Sequence, residues 1–111
     1  MSIEAMWTAK FQSNKGAFGT GIVVLETGRV FGGDSQYYYV GDYSLDGRQI
    51  SVNISVTHYA NDIDSIFGRL REFTVILKGE MNEKKMDLRG QANQDGNLQI
   101  ELTMGRVAEL P

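Results

Sequence analysis

Tyrosines, acids and glycines crowd into one stretch, Phe31-Gly32-Gly33-Asp34-Ser35-Gln36-Tyr37-Tyr38-Tyr39-Val40-Gly41-Asp42-Tyr43. A glycine loop beside an aromatic wall is one way to build a binding site. The same residues also suit a corner where one strand turns into the next. At the two-residue period of a strand, Tyr37, Tyr39, Gly41 and Tyr43 share one face, and Tyr38, Val40 and Asp42 the other. Rings separated by a glycine notch suit cross-strand packing of aromatic over glycine, or the wall of a ligand pocket.

Other reactive residue types are sparse. His58 is the single histidine, on the apolar face of its segment with Ile54 and Val56. General acid–base work needs a nucleophile or an orienting carboxylate within reach, and the spacing suggests neither. His58 is therefore expected to line a pocket or fill the core. Asp62 and Asp64, near Asn61, hint at calcium, but the glycine and closing glutamate of a calcium loop do not follow. Helix capping explains these acids. Gly19-Thr20-Gly21 precedes an apolar run with no Lys-Ser/Thr after it, so it is expected to bend a strand or allow close approach, not to cradle phosphate. There is no cysteine, which excludes disulfides, zinc thiolates and thiol nucleophiles. No catalytic constellation emerges, and the protein is expected to be non-enzymatic, with no cofactor and no metal.

The chain has 111 residues and a formal net charge of −3. That length makes one domain with one core, residues 1–111. No stretch has the lysine and arginine density of a nucleic-acid footprint, so direct DNA or RNA binding is not expected. The basic residues between Lys78 and Arg89 alternate with Glu80, Glu83 and Asp87, as on a solvated hairpin. No apolar run approaches the roughly 18 residues of a membrane span. MSIEAMWTAKF lacks the basic and apolar regions of a signal peptide. The expected location is the cytoplasm, where the Asn53-Ile54-Ser55 sequon has no use.

What must position these residues is legible in the alternation. Ile50, Val52, Ile54, Val56 and His58 alternate with Ser51, Asn53, Ser55 and Thr57. One face is buried and one is wet, the mark of an antiparallel strand. The same period recurs around Trp7–Phe11, Tyr37–Leu45, Phe73–Lys78, Met86–Arg89 and Leu98–Met104. Thr20–Glu26 is an apolar run, and Arg29–Gly32 a short strand. Thr27-Gly28 and Asp46-Gly47 mark tight hairpins, and Asn82–Lys85 and Asn93–Asn97 longer ones. About eight strands joined by short connections form an up-and-down antiparallel meander. Such a sheet closes into a barrel, which leaves no sticky edges. Ala60–Arg71 breaks the alternation and predicts one short helix near residues 61–68, capped by Asn61 or Asp62 and ended by Gly68. Aromatic residues on inward faces are expected to fill an eight-stranded barrel or line a small pocket. The candidate pocket-lining residues are Trp7, Phe11, Tyr39, Tyr43, Ile54, His58, Phe73 and Leu88. Met6, Val23 or Leu25, and Ile76 fall on otherwise polar faces and are candidates for a homodimer contact.

From Gly32-Gly33-Asp34 through Tyr39-Val40-Gly41 to Ser44, the sequence resembles the GrlR family of small bacterial repressors from type III secretion gene clusters. The similarity runs through most of the chain. It implies an all-β, lipocalin-like (calycin) barrel that dimerises and sequesters a helix-turn-helix transcription activator. Trp7 is similarly placed to the lone tryptophan that plugs one end of many such barrels, with Ala5 where they carry glycine. The GrlR-type acidic hairpin motif, Glu-Asp-Glu-Asp, falls on Leu45, Asp46, Gly47 and Arg48, of which only Asp46 is acidic. These four form the candidate partner hairpin. Two functions follow as expectations: a regulatory protein that binds another protein, and a carrier of a small apolar ligand inside the barrel.

Overall fold

The computed structural model describes residues 2–60, 72–93 and 96–111. Eight strands run in chain order: β1 Ala5–Ser13, β2 Phe18–Glu26, β3 Arg29–Gly33, β4 Tyr37–Asp46, β5 Gln49–His58, β6 Glu72–Met81, β7 Lys85–Ala92 and β8 Gln99–Glu109. Each is antiparallel to the next, and β8 returns to β1 to close a lipocalin-like barrel. The short helix expected near residues 61–68 lies outside the described residues.

Alternation decides which side chains enter. On β5, Ile50, Val52, Val56 and His58 are buried, while Asn53 and Ser55 are exposed. On β6, Phe73, Val75 and Leu77 point in, and Ile76 and Lys78 point out. Register follows, because a one-residue slip would send each of these buried sets to water. Trp7, Tyr37, Phe73, Leu77 and Leu88 are fully buried. Each such side chain contributes about 1.5–3 kcal/mol. Closure gives every described strand a neighbour on both sides, with β2 residues 18–21 extending past the short β3.

The loops obey local turn chemistry, with one shift from expectation. Thr27 and Gly28 both adopt positive φ, 47° and 80°, as a type I′ hairpin requires. In the β4–β5 hairpin Asp46 pairs with Gln49, so the loop is Gly47-Arg48 and not Asp46-Gly47. Gly47 alone takes positive φ, 63°, the pattern of a type II′ turn with glycine first. Asp46 is thus the last strand residue.

Curvature has its own residues. A Cβ on Gly41 would stand 1.9 Å from the Asn53 carbonyl oxygen, and one on Gly90 1.8 Å from that of Ile76. Both glycines face inward where the strands coil tightly, and backbone occupies the space a side chain would need. Gly19 seats a ring instead, and Gly21 is crowded both by the Gly33 carbonyl, 2.8 Å from where a Cβ would stand, and by a ring hydroxyl. Phe11 lies across Gly19, and a Cβ on Gly21 would meet the Tyr39 hydroxyl at 3.0 Å. Both roles match the close-approach expectation for Gly19-Thr20-Gly21.

Candidate functional site

The barrel has two different ends. At the lower end, where β1 begins, Trp7 Nε1 donates to the Ile3 carbonyl at 3.0 Å. Residue 107 forms a bulge between β8 and β1, which places Arg106 opposite Trp7. The guanidinium sits 5.8 Å from the indole centroid, within cation–π range. Arg106 also donates to the Ser2 carbonyl at 2.7 Å, and to both Glu109 carboxylate oxygens at 3.0 and 2.9 Å. Its hydrogen bonds to Glu109 hold the guanidinium pKa above its ordinary value. The same bonds hold the Glu109 carboxyl below the usual carboxylate range. Trp7 is therefore a seal for this end. Arg106 was not legible beforehand, because only barrel closure brings the last strand to the first.

The upper end, where β4 and β6 begin, holds a cavity of about 50 Å³. Phe11, Tyr39, Ile54 and Phe73 line it as the sequence suggested, together with Ala9, Val23, Tyr37, Val56, Val75, Leu77, Ile100 and Leu102. A second void of about 20 Å³ is bounded by Tyr39, Ile54 and Leu88, among others. Neither is lined by Trp7, Tyr43 or His58. Tyr43 is half-buried and packs against the core. His58 is buried, its ring edge-on to Tyr37 with centroids 5.2 Å apart.

The opening Gly-Gly-Asp stretch is a built corner. Asp34 Oδ1 accepts from the backbone amides of Gln36 at 2.7 Å and Tyr37 at 2.8 Å. Its Oδ2 accepts from the Tyr39 hydroxyl. Tyr59, just past β5, donates its hydroxyl to the Asp34 carbonyl and its amide to the Gln36 carbonyl at 2.9 Å. Burial, then the bond to Asp34, push the Tyr39 phenol well above its ordinary pKa. It stays a neutral donor across the working pH range. A carboxylate whose oxygens are both engaged in holding a turn is committed to structure and not to a ligand.

The outer surface carries the remaining features. Leu45, Asp46, Gly47 and Arg48 are all exposed at the lower end, Leu45 by 47%. Between β1 and β4, an outward row runs Met6, Val24, Phe31, Val40 across paired positions. The row beside it runs Thr8, Ile22, Gly33, Tyr38. Val23 and Leu25, considered above as contact residues, point inward and are buried. Ile22 and Val24 hold the outer positions instead, since in an all-apolar run the alternation carries no label. Ile76 is exposed but sits on β6, away from both rows.

Among the described residues, no group of three or more His, Asp or Glu side chains is placed to hold a metal ion. Fold and site together define a closed, eight-stranded antiparallel, lipocalin-like barrel whose interior, among the described residues, holds voids of about 50 and 20 Å³. A scan against protein-family models finds no matching family, and a search of curated proteins finds no match.

Proposed function

We propose that the protein is a cytoplasmic, non-enzymatic regulatory module of the GrlR type, which captures another protein, a helix-turn-helix transcription activator, on its outer surface. The observation that carries this reading is the filled interior. Ligand pockets span roughly 300–1,000 Å³, and among the described residues the larger of the two interior voids is about 50 Å³. With the inside occupied by its own side chains, the barrel offers its outside. The hairpin tip supplies a compact contact: exposed Leu45 as an apolar anchor, with Asp46 and Arg48 beside it. An apolar anchor within a polar rim is the usual anatomy of a protein contact. One acid in place of four selects a partner surface of mixed charge, not a strongly basic one.

Carriage of a small apolar ligand is the second reading, favoured by the wholly apolar character of the upper cavity's lining apart from the Tyr37 and Tyr39 hydroxyls. At about 50 Å³ it admits a guest of only a few heavy atoms.

Affinity-tagged protein recovered gently from its native cells tests the first reading. The expected result is one stoichiometric protein carrying a helix-turn-helix domain, lost in a Leu45→Asp variant. Absence of any stoichiometric partner across several growth conditions would overturn it.

A further inference from the structure

We propose that the outer seam of β6 and β7 docks an extended segment of another protein whose wall-facing side chains read apolar, acidic, basic. The register sets three outward rungs along this seam: Ile76 opposite Gln91, Lys78 opposite Arg89, and Glu80 opposite Asp87. All six residues are exposed. Two consecutive rungs therefore hold like charges face to face, first a basic pair and then an acidic one. Like charges directly opposite are destabilising, a cost that a ligand of matching charge order relieves. Intramolecular partners relieve it little. Glu80 accepts from the Gln49 side-chain amide and Asp87 from the Thr103 hydroxyl, each at 3.3 Å, and both donors are neutral. Arg89 Nε stands 3.5 Å from Glu101, beyond the range of a good hydrogen bond. Among the described residues Lys78 has no ion pair, and none runs diagonally between the basic and acidic rungs.

Shape agrees with charge. An outer groove of about 550 Å³ lies on this seam, lined by Ile76, Lys78, Arg89, Gln91, Asn93 and Gln99, among others. No aromatic ring lines it, so it offers no platform for stacking a nucleobase. The amides of Gln91, Asn93 and Gln99 each carry the donor and acceptor of a peptide group. Their side chains make no hydrogen bond to one another, which leaves them open to a main chain. Rungs two residues apart on a strand are about 6.7 Å apart, the interval at which an extended peptide repeats its side chains on one face. A segment laid along the seam sets an apolar residue on Ile76, which is 42% exposed. An acid then falls between Lys78 and Arg89, and a base between Glu80 and Asp87. Both strands already have neighbours on each side, so the segment lies on the sheet face and does not extend the sheet. Exposed ion pairs contribute little each, and the contact is weak, with a dissociation constant on the order of 100 µM. The seam shares no residue with the 45–48 hairpin, so failure of one proposal leaves the other standing.

Fluorescence anisotropy of the labelled peptide Ser-Gly-Leu-Ser-Glu-Ser-Lys-Gly-Ser, titrated with the full chain to about 1 mM, tests this across the expected range. Exchanging the Glu and Lys of the peptide sets each charge against its own kind, and should weaken binding more than about 10-fold. Lys78→Gln combined with Arg89→Gln should weaken the first peptide by about 10-fold as well. Lys78→Glu, Arg89→Glu, Glu80→Lys and Asp87→Lys together reverse both rungs, and should transfer the preference to the exchanged peptide. Lys10→Glu, on β1, should leave both affinities unchanged. Thermal midpoints within about 5 °C of the parent establish that the variants are folded. No binding of the first peptide at the highest concentration overturns the proposal. Equal affinity for the two peptides also overturns it, as does binding that survives Lys78→Gln with Arg89→Gln.

Discussion

Replacing Asp34 with alanine removes one carboxylate and several constraints together. The amides of Gln36 and Tyr37 lose their acceptor, and the Tyr39 hydroxyl loses its own inside the barrel. A hydrogen bond to a charged group is worth about 1.5–3 kcal/mol, and a buried donor left unsatisfied costs about 1–3 kcal/mol. Asp34 is itself partly exposed, so water takes over some of the amide bonds. The net loss expected for Asp34→Ala is about 3 kcal/mol, a large share of the roughly 5–15 kcal/mol that holds a domain of this size. Asp34→Asn keeps a carbonyl for the two amides and should cost only about 1 kcal/mol. In a double-mutant cycle, Tyr39→Phe should couple to Asp34→Ala by about 1 kcal/mol. Urea unfolding with a common slope reads each value. If Asp34→Ala costs less than about 0.5 kcal/mol, the corner is held by something else.

Tyr39 also makes alkaline stability testable. Its native pKa lies above the unfolded value of about 10, so the folded chain keeps a proton that the unfolded chain releases. Its contribution is complete below about pH 10 and is lost as pH climbs from there toward the raised native value, at up to about 1.4 kcal/mol per pH unit. Tyr39→Phe should flatten that slope in unfolding series between about pH 9 and 11.5. Gly41→Ala drives a Cβ to 1.9 Å from the Asn53 carbonyl, and should cost about 3 kcal/mol or prevent folding. Gly47→Ala meets nothing within 4 Å and should cost only the positive-φ penalty, about 1 kcal/mol. Chemical denaturation separates the two. Arg106→Ala uncovers the Trp7 ring. It should red-shift the fluorescence of the single tryptophan and lower the thermal midpoint by about 5 °C. An unchanged spectrum would show that Arg106 does not cover the ring.

The strands were legible because one face of each meets water. Where polar and apolar residues alternate, as in Ile50 to His58, burial follows the sequence at Ile50, Val52, Val56 and His58, with Ile54 half-buried. Legibility fails where that contrast vanishes. Within Gly21-Ile22-Val23-Val24-Leu25 every position is apolar or glycine, so inward Val23 and outward Val24 cannot be told apart without the register to β1. The Gly47-Arg48 loop illustrates a second limit, since Asp-Gly and Gly-X turns share the same glycine and differ by one residue of register. The candidate pocket was half legible. Inward parity correctly gathered Phe11, Tyr39, Ile54 and Phe73, but parity does not say how far along the barrel a residue lies. That coordinate sends Trp7 to the lower seal, whereas His58 stays at the upper end, edge-on to Tyr37, which itself lines the cavity. The Asp34–Tyr39 bond is made within one corner, five residues apart, by a side-chain geometry that strand parity does not encode, and the Arg106–Trp7 stack depends on closure of the last strand onto the first.

Native mass spectrometry of the chain, purified gently from its own cells, is the most direct test of a filled barrel that acts through its outer wall. The expected spectrum shows the bare polypeptide mass, alone or with an intact protein partner, and no apolar adduct on the chain itself. A lipid-sized mass retained on the chain, and displaced by a cavity-filling Ala9→Leu variant, would contradict it.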